Sequence, residues 1–198
     1  MKALVYTANG EMTYREEPEP VLDPGDVMIA VDTVGVCGSD LHAYLGHDER
    51  RVPPLILGHE AVGTVIEGGN RGQNVVLNPL ITCGACEQCR RGRQNLCSER
   101  ELIGMRRAGA FAERIAIPER NLIPVPDGMP SEHAALTEPG ATGLHAIELA
   151  ERLVGPDWSE SRVLVFGAGS VGLLAALLLR DKGVAEATVV ETNPLRRE

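Results

Sequence analysis

Aromatic residues are scarce in this 198-residue chain, which contains one Trp, two Phe and three Tyr, or 3% of its length. A core with so few rings must rest on Val, Ile, Leu and Ala, a composition that suits sheets flanked by alanine-rich helices. Hydrophobic residues at 43% and charged residues at 24% match ordinary soluble usage. That balance argues against a disordered, collagen-like or coiled-coil chain.

Positive charge is also in short supply, because 19 Lys and Arg face 28 Asp and Glu, for a net charge of -9. Such a field repels nucleic acid and anionic lipid. No stretch reaches 18 uninterrupted apolar residues, and the opening MKALVYTANGEMTYREEP lacks the apolar segment of a signal peptide. We therefore expect a cytoplasmic protein that acts on a small molecule, with no nucleic-acid or membrane partner.

The first part of the chain, to about residue 140, alternates short apolar runs with Gly and Pro. The runs are ALVY, VMIAVDTV, AVGTVI, NVVLNP, FAERIAI and LIPVP. This pattern predicts a mainly β domain.

The pattern changes to helical spacing in SEHAALTEPGATGLHAIELAERL, which predicts a helix, a break at Pro139 and Gly140, and a second helix. RVLVFG, LLAALLLRDKG and ATVVE then predict one β-α-β unit, the beginning of a doubly wound fold. One helix on a parallel pair leaves a sheet face uncovered. We therefore expect a piece of a longer chain, whose remaining strands would complete this second domain.

Four of the five cysteines, Cys83, Cys86, Cys89 and Cys97, fall within fifteen residues as C-x2-C-x2-C-x7-C. In a reducing compartment this spacing indicates a metal rather than disulfides. Four thiolates fill the tetrahedral shell of zinc, which predicts a structural ion without an open position. An iron–sulfur cluster is the alternative, although the cysteine and proline ending of bacterial ferredoxin motifs is missing.

The fifth cysteine lies in GVCGSDLH, and LGHEAVGTV follows some twenty residues later. Cys37, His59 and Glu60 offer a thiolate, an imidazole and a carboxylate, a mixed set suited to a zinc that keeps one position open. With the four-cysteine segment, LTEPGAT and a glycine-rich turn in the same order, the chain resembles the medium-chain dehydrogenase/reductase superfamily, in its zinc-dependent alcohol and polyol dehydrogenase branch.

This resemblance implies a fold and a ligand set. It implies a GroES-like catalytic domain over residues 1–140, with a structural zinc lobe near 80–100, and the start of an NAD-binding Rossmann domain over 141–198. Cys37 and His59 would bind the catalytic zinc, with Glu60 as ligand or close alternate. Glu138 occupies a position that is cysteine in typical alcohol dehydrogenases and, by this resemblance, glutamate in relatives of sorbitol and threonine dehydrogenases. It would bind zinc directly or through water.

The same resemblance implies a proton relay from Ser39 through the nicotinamide ribose to His42. Ser39 lies two residues after Cys37, and in an extended segment these positions share a face. Asp40 would orient the ligand histidine. The other three histidines, His47, His133 and His145, are interpreted as structural or surface residues.

The sequence VLVFGAGSVGLL carries G-x-G-x-x-G at Gly167, Gly169 and Gly172, with Val171 inside the motif, between a predicted strand and helix. This context predicts a dinucleotide site with the pyrophosphate at the helix N-terminus. Glu191 follows nineteen residues after Gly172, at the end of the next strand. Its carboxylate suits a ribose diol and repels a 2'-phosphate, so we expect NAD rather than NADP.

Together these features predict an oxidoreductase that converts a secondary alcohol, such as a polyol or sugar alcohol, to a ketone with hydride transfer to NAD. Two zinc ions per chain and a homodimer or homotetramer are expected, while residues 1–198 alone would be inactive. The alternative is a non-catalytic zinc-binding module. A zinc-ribbon nucleic-acid binder conflicts with the acidic charge, and a zinc-free quinone reductase would lack both Cys37 and the four-cysteine lobe.

Overall fold

The computed structural model describes residues 1–197, which divide into two compact units. The first unit is Met1–Leu136, and the second begins at Thr137. The sequence predicts the boundary after residue 140, four residues later. Among the described residues, none of the helices combines the length and apolar character needed to cross a bilayer.

The first unit is mainly β, with ten strands, three short α-helices and two single-turn 3₁₀ helices among its described residues. The strands are β1 (Lys2–Ala8), β2 (Glu11–Glu16), β3 (Asp26–Gly35), β4 (Leu55–Ile56), β5 (Glu60–Glu67), β6 (Asn74–Leu77), β7 (Leu80–Ile81), β8 (Glu101–Leu102), β9 (Arg114–Pro118) and β10 (Leu122–Pro124). The helices are α1 (Gly38–Tyr44), α2 (Glu87–Arg90) and α3 (Ser131–Ala134). Each of the six apolar runs noted in the sequence contributes a strand, so the predicted β domain is confirmed.

The largest sheet has five antiparallel strands in the order β10-β6-β5-β3-β9, beside a three-stranded sheet ordered β2-β1-β4 and the small pair β7-β8. Strand β3 pairs with β5 on one side and β9 on the other. The register with β5 sets Gly35 opposite Glu60, so the end of β3 lies beside the start of β5. The residues that follow β3 and precede β5 are therefore brought together.

The main core lies under the five-stranded sheet and is aliphatic, as the shortage of aromatic residues predicts. Its eleven buried members are Val27, Ile29, Ala61, Val65, Val75, Leu77, Ile81, Ile103, Ala110, Ile115 and Ile117. β-Branched side chains predominate among them, and these pack well on a pleated surface. Alternation along β3 and β9 directs one face of each strand into this cluster.

The second unit contains α4 (Thr137–Val154), β11 (Arg162–Phe166), α5 (Ser170–Asp181) and β12 (Glu186–Val190). Strands β11 and β12 are parallel and joined by α5, which confirms the predicted β-α-β unit. Its small core gathers Ile147, Trp158 and Leu179.

The helical region departs from the sequence prediction at one point. The prediction that the helix breaks at Pro139 and Gly140 is wrong, because the break falls at Ala135 and Leu136, between α3 and α4. Pro139 lies in the first turn of α4, where the missing backbone N–H would have no partner in any case, so proline is tolerated there.

Gly63 tests the close approach of β5 to β3. A Cβ atom at Gly63 would lie 2.2 Å from the carbonyl oxygen of Ala30 and 2.6 Å from the Ile29 side chain. We expect Gly63→Ala to lower the free energy of unfolding by about 1–3 kcal/mol, because a backbone carbonyl cannot move aside cheaply. Urea denaturation measures the loss. Gly38→Ala is the control, since its Cβ would meet nothing within 4 Å; equal midpoints for the two variants would contradict the argument.

Candidate metal centres and cofactor turn

The three donors of the predicted open metal centre meet where β3 ends and β5 begins. A sulfur of Cys37, a ring nitrogen of His59 and a carboxylate oxygen of Glu60 all lie within 4.8 Å of one another. His59 and Glu60 are buried, while Cys37 is partly exposed. The antiparallel register between Gly35 and Glu60 is the reason that residues so far apart in sequence converge.

Two glycines leave room for this arrangement. A Cβ at Gly35 would lie 2.3 Å from Oε2 of Glu60, so a larger residue there would displace the carboxylate. Gly58, which precedes His59, has φ of +89°, and its Cβ would lie 2.5 Å from the ring of Phe111. Only glycine adopts that backbone against that ring without strain. The LGHE segment therefore needs its glycine for a steric reason.

Asp40 connects the two segments that carry the donors. Its carboxylate accepts hydrogen bonds from the backbone N–H of Cys37 at 3.1 Å and of Gly58 at 3.4 Å. Its Oδ1 lies 3.5 Å from Nδ1 of His59, and the residue is 3% exposed. This proximity is compatible with the orienting role predicted for Asp40, because a ligand histidine is commonly held by a partner at its second nitrogen, and the role stays a prediction.

The chemistry of the three donors fits a zinc ion with an open position. One sulfur, one nitrogen and one oxygen donor leave a tetrahedral ion one position for water or substrate. Glu138 lies in the first turn of α4, in the second unit. Its predicted role as a further ligand stays a prediction.

Ser39 and His42 both lie on α1, directly after Cys37, and line one cleft of about 750 Å³. The expectation of an extended segment from Cys37 to Ser39 is wrong, because α1 begins at Gly38 and Ser39 lies in its first turn. The other lining residues are Gly46, His47, Asp48, Glu49 and Arg50. His47 was assigned no role from sequence, yet its ring centroid lies 6.0 Å from that of His42. The cleft therefore brings together the two predicted relay residues and a second histidine.

Nothing in the sequence singles out Arg51, which is 3% exposed and contacts two of the residues that line this cleft. Its Nε donates to the carbonyl of Gly104 at 2.9 Å, its Nη2 donates to Oγ of Ser39 at 3.1 Å, and its Nη1 forms an ion pair with Asp48. Hydrogen bonds from the side chain and the backbone of Arg50, and then from the side chain of Arg51, hold the pKa of Asp48 well below its usual range. In the sequence Arg51 is one of two adjacent arginines in a polar loop, and nothing there separates the buried one from the exposed one.

The four cysteines of the lobe converge as a tetrahedral ion would require. The sulfur of Cys83 lies 3.9 Å from that of Cys89 and 3.6 Å from that of Cys97. A tetrahedral zinc with Zn–S bonds of about 2.3 Å separates its sulfurs by roughly 3.8 Å. These sulfur–sulfur separations are too long for a disulfide bond. They are too short for an iron–sulfur cluster, which would need room for several iron atoms between the thiolates. The geometry favours a single ion.

The backbone around the lobe supports negative charge on the sulfurs. Cys86 donates its N–H to the sulfur of Cys83 at 3.3 Å, and Cys89 donates to that of Cys86 at 3.5 Å. Hydrogen bonds from the backbone of Ala85 and Cys86 lower the pKa of the Cys83 thiol to about 6. Burial raises the pKa of Cys89 to about 11. A thiol whose pKa is raised this far becomes a thiolate ligand only when a bound cation stabilises its negative charge.

The glycine-rich turn joins β11 to α5. Gly167 has φ of +98°, and Gly169 is the N-cap of α5. A Cβ at Gly172 would lie 2.0 Å from the carbonyl oxygen of Gly167, whereas one at Gly169 would meet nothing within 4 Å. Gly172 therefore permits the tight packing of helix on turn, and Gly169 leaves space in front of the helix. Val171 lies in the first turn of α5 and is 42% exposed.

Glu191 follows β12 and reaches the same turn. Its carboxylate accepts hydrogen bonds from the backbone N–H of Asn193 at 2.8 Å and of Ala168 at 2.9 Å. These bonds, that of Asn193 first, lower the pKa of Glu191. Nη1 of Arg196 lies 3.8 Å from Oε2 of Glu191. The ionised carboxylate of Glu191 therefore lies beside the glycine-rich turn, where the ribose of a dinucleotide is expected.

The fold of the first unit is that of one family. Residues 23–127 match the family model described as the alcohol dehydrogenase GroES-like domain. That match covers more than half of the chain, and the chain belongs to this family, as the sequence resemblance predicted.

Individual relatives are dehydrogenases. L-Threonine 3-dehydrogenase from Mesorhizobium japonicum is 38% identical, with 99% of this chain and 58% of the relative covered. The crystal structure of galactitol-1-phosphate dehydrogenase from Escherichia coli has a TM-score of 0.89 at 31% identity, over 99% of this chain and 57% of that one. A zinc-binding dehydrogenase from Sinorhizobium meliloti 1021, solved with NADP, has a TM-score of 0.88 at 32% identity. The match covers 99% of this chain and 57% of that one. The chain therefore spans a little under three fifths of the length of these relatives.

Two substitutions test whether the metal centres are independent. We expect Cys97→Ser to remove one zinc per chain and to lower the unfolding temperature, because a structural metal contributes folding energy directly. Cys37→Ser should remove the other zinc and leave the lobe loaded. Metal analysis of the purified variants by mass spectrometry measures both. If either substitution strips both ions, the assignment of two separate centres fails.

The second unit should lose stability in acid through Glu191. Its folded-state pKa is lowered from the ordinary 4.5, so its contribution is present above that value and is lost as pH falls through the folded pKa. We expect the urea midpoint of Glu191→Gln to fall less steeply than wild type below about pH 4.5. Fluorescence of Trp158, the single tryptophan, reports on this unit. Glu160→Gln provides the charge-matched control; identical slopes for Glu191→Gln and wild type would refute the prediction.

Proposed function

We propose that the protein containing this chain is a zinc-dependent dehydrogenase that oxidises a secondary alcohol to a ketone with NAD as hydride acceptor. The observation that carries the proposal is the meeting of Cys37, His59 and Glu60 within 4.8 Å, next to the cleft of Ser39 and His42. A metal used only for folding would have its shell filled by protein, as in the cysteine lobe. Three mixed donors leave a position for substrate.

Zinc in this site would polarise the alcohol oxygen as a Lewis acid, and NAD would take the hydride. The chain's own residues deal with the proton. Ser39 accepts the hydroxyl proton of the alcohol and passes its own proton toward His42, whose exposed ring releases a proton to solvent. Asp40 keeps the ring of His59 oriented and holds the Cys37 segment against it.

NAD is the cofactor that Glu191 supports. An ionised carboxylate at the end of β12 accepts hydrogen bonds from a ribose diol and repels a 2'-phosphate. The Sinorhizobium relative was solved with NADP, and Arg196 lies 3.8 Å from Glu191. The lowered pKa of Glu191 keeps its charge in place, and for this reason we favour NAD.

The substrate class is proposed as a polyol, a sugar alcohol or a similar secondary alcohol. Glu138 stands in place of cysteine, and the resemblance to sorbitol and threonine dehydrogenases implies this class. The names of the relatives, a threonine dehydrogenase and a galactitol-1-phosphate dehydrogenase, agree with it. We also propose that residues 1–198 alone do not turn over, since these relatives are longer by about two fifths of their length. A homo-oligomer is proposed for the whole protein.

The decisive experiment loads the whole protein with zinc and follows NAD reduction with a polyol, a sugar-alcohol phosphate, threonine and a simple primary alcohol. Activity with at least one secondary alcohol is expected, and Ser39→Ala should lower kcat by about 10²–10⁴-fold, the usual contribution of a positioned proton-transfer group. Ser159→Ala, an exposed serine of the second unit, is the matched control. Two bound zincs without turnover on any substrate would favour a non-catalytic zinc-binding module instead.

A further inference from the structure

We propose that Arg51 is a positioning residue that fixes the direction of the hydrogen bonds made by Ser39. The importance of this for turnover rests on the proposed function, while the contact itself does not. Arg51 Nη2 donates to Oγ of Ser39 at 3.1 Å, and Ser39 lies two residues after Cys37. The inference therefore concerns a residue that touches a proposed relay group.

Burial shows that this guanidinium is held in place. The Arg51 side chain is 1% exposed, and that of its ion-pair partner Asp48 is 8% exposed. A buried charge is costly unless it is both paired and hydrogen-bonded. Arg51 meets this condition with all three of its nitrogens, which contact Gly104, Asp48 and Ser39. Its neighbour Arg50 contrasts with it, since the side chain of Arg50 is 71% exposed.

The chemistry of the guanidinium then determines what Ser39 can do. Arginine only donates, so Oγ of Ser39 must accept in this contact. A hydroxyl has two acceptor sites and one donor hydrogen, and Arg51 uses one acceptor site. One acceptor and one donor remain. These are what a relay needs, one to receive the proton of the substrate hydroxyl and one to pass a proton on.

The planar fork of arginine makes this arrangement rigid. Its nitrogens are fixed relative to one another, so the bonds to Gly104 and Asp48 also determine where Nη2 points. Lysine has a single flexible ammonium and cannot satisfy the same three partners in fixed directions. Arg51→Lys thus keeps the buried charge and removes the fixed direction, which separates positioning from electrostatic stabilisation.

A double-mutant cycle on the whole, zinc-loaded protein tests the coupling. We expect Arg51→Lys to lower kcat about tenfold, the equivalent of one lost hydrogen bond, with the KM for NAD unchanged. In a Ser39→Ala background the same change should cost less than roughly twofold, because residues acting through one contact are not additive. Equal losses in both backgrounds would overturn the proposal and indicate a general structural role.

A matched control separates fold from positioning in this cycle. Arg107 forms an ion pair with Asp26 at 2.9 Å, and the two side chains are 24% and 4% exposed. Among the described residues, the side chain of Arg107 forms no hydrogen bond with Ser39 or Asp48. Arg107→Lys should leave kcat unchanged. A drop in kcat as large as that of Arg51→Lys would count against the proposal.

A second measurement needs no turnover. In the ¹⁵N-arginine-labelled chain, the guanidinium hydrogens of Arg51, assigned by their loss in Arg51→Lys, should exchange slowly with solvent. Ser39→Ala should speed exchange of the Nη2 hydrogen about tenfold, because its acceptor is removed. Unchanged exchange would overturn the contact. If no substrate is turned over but exchange rises in Ser39→Ala, the proposed function fails and the positioning of Ser39 by Arg51 stands.

Discussion

The antiparallel register of β3 against β5 is the constraint on which the rest of the first unit depends. It sets Gly35 opposite Glu60, so the segment leaving β3 and the segment entering β5 must run side by side. A shift of one residue would turn every side chain of β5 to the other face and separate Cys37 from His59. The packed aliphatic face under the sheet prevents such a shift, because it would bring polar residues into the core. The metal donors are thus held by core packing some distance from the metal site itself.

That convergence creates a second requirement, which is to keep buried polar groups paired. Asp40 and Arg51 are each 3% exposed, and their buried charges are paired in opposite ways. The carboxylate of Asp40 accepts backbone N–H groups from both converging segments, whereas the guanidinium of Arg51 donates to groups around the cleft. Both contacts end on atoms next to the open metal centre. Stability and site geometry therefore depend on the same hydrogen bonds, and a substitution that weakens one must be tested for its effect on the other.

How far the sequence could predict this molecule depended on whether a residue's role is local. The strands followed from alternation, and the turn at Gly167 to Gly172 followed from a motif whose steric reason is contained in six residues. The position of the helix break was wrong because Pro139 was interpreted without knowing that α4 begins only two residues earlier, where proline does no harm. Arg51 was missed because its role comes from tertiary contacts with Gly104 and Ser39, which no local pattern encodes.

The two metal centres differ in a way that follows from their donors. Four thiolates would saturate a tetrahedral ion and bring excess negative charge, so the lobe of Cys83 to Cys97 would offer no open position to a substrate. At the other centre one sulfur, one nitrogen and one oxygen from the first unit would leave a bound ion unsaturated and more electrophilic, which is useful only if water and protons are controlled around it. Asp40 and Arg51 make contacts beside the open centre, with the backbone N–H of Cys37 and with Ser39 respectively. Control of the neighbouring hydroxyl is needed where a coordination position stays open, and this is the physical reason to look for function there and for stability in the lobe.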